Sequence, residues 1–346
     1  MSKTKKETLP EGIEELLESK SMDELKEIFE TCDLDATGGY SKQACLSFST
    51  CPDDLARWLV NEGADIDFPD SYKKTPLHER SGSWRQNIDI LLALGANIEA
   101  LDSNDETPLH KAASSYKPEA VKTLLTHGAE VDPLNSSGHS PLAKALCQCS
   151  NIHIIPILEI VSLLLDAGAE KTEDMKSFVV KIGETLEFHK AHFEEDTFSA
   201  MAKLNSIFDV KSAPERKIHD GHSQVVASGD NFQTQYKKLW DYLVPSSGAA
   251  ETVQGELIRI SGRIRDEWER NGGANWDKQY ELMAKSYLKF ISLGNKLEKK
   301  QVKIIKPILA KPTCDSDRLR ELQYSALMWI QLNPDPIRLP MVKYSR

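Results

Sequence analysis

A row of charged side chains on one predicted helix is the arrangement in this sequence best suited to acid–base or anion chemistry. Between positions 249 and 270 the apolar residues recur at helical spacing, and at about 100° per residue Glu256, Arg259 and Arg263 fall along one flank. A carboxylate beside guanidinium groups can exchange a proton or hold an anion. Two polar residues downstream complete this candidate enzymatic site: Asn275 and Asp277. The alternative is a solvent-exposed ladder of helical ion pairs, each stabilising the helix by only a few tenths of a kcal/mol.

A second segment with potential chemistry is His219-Asp220-Gly221-His222. Its two histidines flank a carboxylate, but no third strong metal ligand lies nearby in the sequence, so a turn is the better interpretation. Phosphate-binding loops, GxGxxG after a strand, HExxH, GxSxG and paired CxxC motifs do not occur. We therefore assign no catalytic residue, no metal ligand and no cofactor from the sequence.

An internal repeat predicts the secondary-structure elements of the first half of the chain. TPLH occurs at 75–78 and 107–110, SPLA follows at 140–143, and phrases that begin with Gly-Ala recur between them at spacings of 32 and 33 residues. Pro76 and Pro108 suit the first turn of a helix, where no amide hydrogen is needed. Gly95 and Gly128 suit a left-handed helix end. The pattern therefore predicts pairs of helices joined by turns.

This pattern resembles the ankyrin repeat, a hairpin turn followed by two antiparallel helices. The resemblance implies an all-α solenoid of about four ankyrin repeats with short hairpin turns and helical caps, followed by a C-terminal helical bundle. It also implies that the Thr hydroxyl and the His ring of the TPLH phrase tie turns and repeats together. The residues with this structural role are Thr75, His78, Thr107 and His110.

The same resemblance places partner-binding residues at the hairpin tips and the outward positions of the first helices. By register these residues are Tyr72, Lys74, Trp84, Asn104, Glu106, Tyr116 and His139. We expect Trp84 and Tyr116 to be exposed aromatic anchors, which are enriched at binding hot spots. The alternative for Trp84 is that it packs over a shortened loop. Arg80 replaces the usual alanine, and a buried guanidinium there must find a carboxylate or reach solvent.

The division of the chain follows from the repeat and from the helical patterns around it. Residues 1–34 form a predicted N-terminal helical cap and residues 35–172 the ankyrin repeats, of which the first is degenerate. Capping helices at 173–210, a linker at 211–230, and a helical bundle domain with a basic tail at 231–346 follow. Phrases such as GGYSKQ and LVPSSGAAETVQGELIRISGRI make this arrangement resemble a group of uncharacterised bacterial ankyrin-repeat proteins with a C-terminal helical region.

The distribution of charge and the cysteine content indicate which cellular environment and which kind of partner to expect. Residues 1–170 contain 29 Asp and Glu against 15 Lys and Arg, whereas the remainder contains 24 against 28. An acidic first half repels nucleic acid and favours a basic protein. With no membrane-length apolar run and six sparse cysteines, including Cys314, we expect a cytoplasmic protein with reduced thiols and no membrane partner.

Protein–protein recognition is therefore the predicted function, and an immunity-type neutralisation of a basic protein is its most specific form. The first alternative is an enzyme whose site lies in the C-terminal helices and whose repeats recruit the substrate. The second alternative is self-association, in which the acidic half of one copy binds the basic half of another.

Overall fold

The computed structural model describes residues 5–85, 87–310 and 315–344, so Cys314 lies outside the described residues. The chain divides into two compact units. The first unit consists of Met1–Leu186 and His192–Ala213, and the second consists of Glu187–Ala191 and Pro214–Arg346. Helices dominate both, which confirms the all-α solenoid followed by a helical region. In the described part of the chain no helix is both long and apolar enough to span a membrane.

The N-terminal segment contains two helices and, in addition, a small sheet. Helices α1 (Ile13–Ser19) and α2 (Met22–Thr31) are short, and Ser21 and Glu24 form a capping box at the start of α2. The three strands are β1 (Lys6–Thr8), β2 (Cys32–Gly38) and β3 (Gln43–Ala44). β2 is the central strand, parallel to β1 and antiparallel to β3. A purely helical cap was therefore too simple, because the pairing of β1 with β2 joins segments distant in the sequence.

The repeats follow as pairs of helices. Repeat one has only its second helix, α3 (Asp53–Asn61), since a short 3-10 helix, Cys45–Ser47, replaces the first. The later repeats contain α4 (Pro76–Ser81) with α5 (Asp89–Ala93), α6 (Pro108–Ser114) with α7 (Pro118–Thr126), and α8 (Pro141–Cys147) with α9 (Ile154–Asp166). Proline begins each first helix. Gly95 and Gly128 have φ values of 90° and 86°, the left-handed helix ends that the sequence predicts.

One apolar core runs through the first unit. Leu77, Leu109 and Leu142 from successive first helices are buried, as are Leu91 and Leu124 from the second helices. Burying such side chains contributes about 1.5–3 kcal/mol each, so stacking of neighbouring repeats stabilises helices too short to persist alone. Helices α10 (Glu173–Phe188) and α11 (Glu195–Ile207) follow the last repeat, and α11 packs on α9.

In its described residues, 214–310 and 315–344, the second unit contains five helices. They are α12 (Phe232–Leu243), α13 (Val253–Asn271), α14 (Lys278–Phe290), α15 (Lys299–Ala310) and α16 (Ser316–Leu332). Helix α15 lies in the basic tail. Segment 211–230 has no helix or strand, yet Val225 is buried and its amide donates to the carbonyl of Pro334 at 2.8 Å. This segment is therefore fixed to the second unit at that point.

Two glycines of α13 lie where other groups come close to the helix. A Cβ at Gly255 would lie 2.9 Å from the carbonyl oxygen of Leu243, and a Cβ at Gly262 would collide with the ring of Trp240. Only glycine allows α12 and the segment after it to approach α13 this closely.

Candidate functional site

The hairpin turns of the repeats are shaped by one polar side chain each. The carboxylate of Asp70 accepts hydrogen bonds from the amides of Tyr72 (2.7 Å) and Lys74 (2.9 Å). Asp102 and Asn135 make the equivalent pair of bonds in the next two turns. These three residues recur at the repeat spacing, a signal that was present in the sequence and that our prediction of tip residues did not use. They fix the backbone of each turn, and with it the direction of the tip side chains.

Neighbouring turns are also joined to each other through their backbones. The amide of Ser103 donates to the carbonyl of Tyr72, and the amide of Ser136 donates to the carbonyl of Asn104, both at 2.9 Å. The three turns, residues 70–74, 102–106 and 135–139, thus form one hydrogen-bonded strip, which we call the turn edge. Its backbone is held before any partner binds.

The TPLH side chains link each first helix to the turn of the following repeat. The amide of Thr75 donates to Nδ1 of His78 at 3.1 Å, so Nε2 of that ring carries the hydrogen and donates to the carbonyl of Glu106 at 2.8 Å. Thr107 and His110 repeat these bonds toward the next turn, at 3.2 and 3.0 Å. Burial lowers the pKa of both histidines. The structure therefore places neutral, fully bonded rings at these positions.

The predicted tip residues separate into exposed and buried groups. Tyr72, Trp84 and Asn104 are exposed, and Lys74 is half-buried with its ammonium 3.3 Å from Glu79. Trp84 is 73% exposed, so it does not pack over the shortened loop; the guanidinium of Arg85 lies 4.9 Å from its ring centroid. These residues remain available to a partner.

Glu106 is buried, although its register predicts a hairpin tip. Its carboxylate pairs with the ammonium of Lys144 and accepts a hydrogen bond of 3.1 Å from Nδ2 of Asn135. Both groups come from the following repeat. The side chain therefore points along the stack and joins repeats.

Tyr116 and His139 are half-buried and also contact neighbouring elements. Tyr116 has a left-handed backbone (φ 57°), its ring stacks on His153 at 3.9 Å, and burial raises the pKa of its hydroxyl. His139 packs edge-on against Phe178 with ring centroids 5.8 Å apart. The exposed aromatic pair that the sequence predicts is therefore reduced to Trp84, because His153, between α8 and α9, supplies a ring that covers Tyr116.

The hydrogen-bond partners of the buried Arg80 differ from those that we expected. Its side chain is fully buried and finds neither a carboxylate nor solvent. Nε donates to the carbonyl of Leu46 at 2.8 Å and Nη1 to the carbonyl of Asn87 at 3.3 Å. The guanidinium thus holds the irregular first half of repeat one against repeat two.

The charged row of α13 is not a solvated ladder at its beginning. Glu256 and Arg259 are fully buried and pair in a two-point contact, with Nε to Oε2 at 2.8 Å and Nη2 to Oε1 at 2.6 Å. The amide of Ala250 donates to Oε2 at 2.9 Å, and the hydroxyl of Tyr344 donates to Oε1 at 2.7 Å. Each carboxylate oxygen therefore accepts two bonds. Further along the helix, Arg263 is half-buried, and Asp266 and Arg270 form a solvent-exposed ion pair.

The other half of this candidate site lies beyond the end of α13, in the loop that leads to α14. Asn275 donates from its amide to the buried carboxylate of Glu267 at 2.7 Å, and Asp277 caps the start of α14. Glu256 and Glu267 are separated by about 16 Å along α13 at 1.5 Å per residue. The structure therefore does not gather Asn275 and Asp277 around Glu256.

His219-Asp220-Gly221-His222 forms a turn. The ring of His219 is hydrogen-bonded at both nitrogens, with Ser223 at 2.7 Å and the amide of Gly221 at 2.9 Å. The carboxylate of Asp220 accepts from the amides of His222 and Ser223. These bonds account for the segment as local structure.

Comparison with known proteins agrees with the repeat architecture. Residues 82–175 match the family model described as ankyrin repeats in three copies. Among solved structures, the chain is similar to the crystal structure of an ankyrin repeat domain from Acinetobacter baumannii AYE, with 20% identity and a TM-score of 0.43; the match covers 57% of this chain and 98% of that one. A search of curated proteins finds no match.

Residues 82–175 are therefore ankyrin repeats. Ankyrin repeats generally mediate protein–protein interaction. The resemblance of the whole chain to bacterial proteins of this kind stays a prediction.

Proposed function

We propose that this protein recognises a basic protein partner through the turn edge of its ankyrin repeats and the adjacent Trp84. The observation that carries the proposal is that Tyr72, Asn104 and Trp84 are exposed while the side chains that build the turns are bonded internally. A held backbone that presents free tyrosine, asparagine and tryptophan side chains loses little conformational entropy on binding.

The charge of the first half supports a basic partner. Residues 1–170 have a net charge of −14 from their Asp, Glu, Lys and Arg side chains. Such a surface accelerates encounter with a positively charged protein and orients it. Neutralisation of a basic protein by an immunity-type complex is the most specific form of this proposal, and self-association through the basic half is its competitor.

The enzymatic alternative gains no support from the candidate residues. Glu256 already accepts four hydrogen bonds from the protein, and Asn275 bonds to Glu267. A general base or anion site needs at least one free acceptor or donor directed at the substrate. The geometry supports a structural role for this cluster.

The test begins with capture of a partner by the intact chain and its identification by mass spectrometry. Association is then measured by surface plasmon resonance from about 50 to about 500 mM salt, and we expect the rate to fall by about tenfold or more, because screening removes the electrostatic attraction. Sedimentation of the chain alone measures self-association. A salt-independent rate would contradict a basic partner.

Variants locate the contact. Trp84→Ser and Tyr72→Ser are expected to weaken binding by about tenfold each, because they remove exposed aromatic area at the edge. Ile152→Ser is the matched control, since Ile152 and Trp84 are both 73% exposed. Equal affinities for all three variants and the wild type would show that the partner does not use the turn edge.

A further inference from the structure

Buried polar atoms without a hydrogen-bond partner are concentrated at the junction between repeat one and repeat two. Nine such side-chain atoms occur in the described residues, and five of them belong to Ser47, Thr50, Arg80, Ser81 and Asn87. Proteins leave few polar atoms unsatisfied in this way, because each one costs about 1–3 kcal/mol. Their clustering marks this junction as the part of the described structure where most of the unmet hydrogen bonds lie.

Three of these residues, Ser47, Thr50 and Asn87, line a recess on the surface of the first unit. The recess consists of three adjoining cavities of about 240, 660 and 710 Å³. Glu14 and Phe48 line both the first and the second, and Ser49 lines both the first and the third. We call this feature the cap recess. Its walls are α1, the segment 47–53, and the end of α4 with the residues that follow it.

Ser47 is a buried polar side chain in the wall of the cap recess. Its side chain is 4% exposed, its hydroxyl has no hydrogen-bond partner, and it lines the smallest of the three cavities. A hydroxyl kept in such a place without a partner destabilises the free protein. The hydroxyl of Thr50 and the amide oxygen of Asn87 are in the same state around the larger cavities.

The charge of the walls selects a basic ligand. The acidic residues that line the cap recess are Glu11, Glu14, Glu15, Glu18, Asp53 and Glu79. The basic residues there are Arg85, which pairs with Glu18, and Lys111, whose pKa is lowered by burial; Glu79 pairs with Lys74, which leaves Glu11, Glu14, Glu15 and Asp53 to attract a ligand. Lysine and arginine side chains of a ligand are therefore attracted to these walls.

The unpartnered atoms also select the conformation of the ligand. They include an amide oxygen that only accepts and hydroxyls that both donate and accept. An extended peptide offers a free N–H and a free C=O at every residue, whereas a helix consumes both within itself. Trp84, between the lining residues Ser83 and Arg85, adds exposed apolar area at the rim.

We propose that the cap recess binds an extended segment of a partner protein that carries lysine or arginine side chains. This inference rests on the proposed function. It adds a second contact to that of the turn edge, and the affinity of this second contact depends on the amino-acid sequence of the partner. The degenerate first repeat explains the recess, because the missing first helix leaves the irregular segment 47–53 beside α1.

The experiment selects short random linear peptides displayed on phage against the intact chain. The enriched peptides are expected to have net positive charge and to bind in fluorescence anisotropy. Glu11→Lys/Glu14→Lys, at two exposed lining residues, is expected to weaken that binding at least about tenfold. The matched control Glu30→Lys/Glu119→Lys makes the same change of charge outside the recess and is expected to change it less than about twofold. Circular dichroism and melting curves verify that the variants fold.

A second variant separates binding from structure. Ser47→Ala removes an unpartnered hydroxyl, so the stability of the free protein is expected to stay equal or rise, while peptide affinity falls by about two- to tenfold. A residue with only a structural role would not show this combination. Basic peptides that bind all recess variants as tightly as the wild type, or enriched peptides without basic residues, would overturn the inference.

The same variants distinguish failure of this inference from failure of the proposed function. A captured partner that loses affinity with Tyr72→Ser but not with Glu11→Lys/Glu14→Lys would overturn the cap recess and leave recognition by the turn edge standing. A partner that loses affinity with the recess variants and not with Tyr72→Ser would support the cap recess and overturn the edge.

Discussion

Replacement of Glu256 is the most direct test of the structural role given to the buried cluster of α13. In Glu256→Ala the guanidinium of Arg259 stays buried without its carboxylate, and Tyr344 and the amide of Ala250 lose their acceptor. Removing one partner of a buried ion pair costs about 3–5 kcal/mol. We therefore expect Glu256→Ala to lower the free energy of unfolding of the second unit by about that amount.

Two further variants separate the contribution of the Tyr344 hydrogen bond from that of the ion pair to this loss of stability. Tyr344→Phe removes one hydrogen bond to a charged group and is expected to cost about 1.5–3 kcal/mol. Glu256→Leu/Arg259→Met removes both charges and is expected to cost much less than Glu256→Ala, since apolar pairs of similar volume often replace buried ion pairs with little loss. The difference between single and double variants measures the coupling.

The assay is urea unfolding of the intact chain followed by tryptophan fluorescence. Four of the six tryptophans lie in the second unit: Trp240, Trp268, Trp276 and Trp329. Their signal therefore reports mainly on that unit. A Glu256→Ala protein within about 0.5 kcal/mol of the wild type, the range of ordinary surface substitutions, would refute the reasoning and reopen a catalytic interpretation of the cluster.

Three other outcomes follow from the geometry. Burial lowers the pKa of His78 and His110 below the ordinary 6.5, so the unfolded chain binds protons more readily than the folded chain. Thermal melts should therefore show stability that is complete above about pH 7 and falls as the pH decreases through 6.5. The double variant His78→Gln/His110→Gln should reduce this pH dependence. Glu106→Gln should cost about 1–3 kcal/mol by weakening its buried pair between repeats, whereas the exposed Glu119→Gln should cost almost nothing in the same urea titration. Gly262→Ala should destabilise the second unit by about 1–3 kcal/mol in chemical denaturation, although alanine is the better helix former by about 1 kcal/mol; a stabilised variant would show that Trp240 does not pack against this glycine.

The repeat architecture was readable in the sequence because its signals are local. Thr75, Pro76 and His78 define a helix start within four positions, and Gly95 ends the following helix with a positive φ. Such features depend on short-range hydrogen bonds and sterics, which the sequence contains in full. Regular recurrence then implies stacking, since one helix pair cannot bury its own apolar face.

Exposure at individual tip positions could not be derived in the same way. Register places Glu106 at a hairpin tip, but Lys144 and Asn135 draw its carboxylate into the stack. Register equally places Tyr116 at an outward position, but the ring of His153, between α8 and α9, covers it. Both outcomes depend on which side chain the next repeat happens to supply.

The sequence by itself determined where the TPLH helices begin, where Gly95 and Gly128 end the helices that follow, and that the first half is acidic. Tertiary structure alone decided that Glu256 is an internal acceptor bonded to Tyr344, 88 positions away, and that Ser47 lines an acidic recess with its hydroxyl unpartnered. The physical reason is that helix starts and ends depend on neighbours along the chain, whereas burial and hydrogen-bond satisfaction depend on groups that only folding brings together.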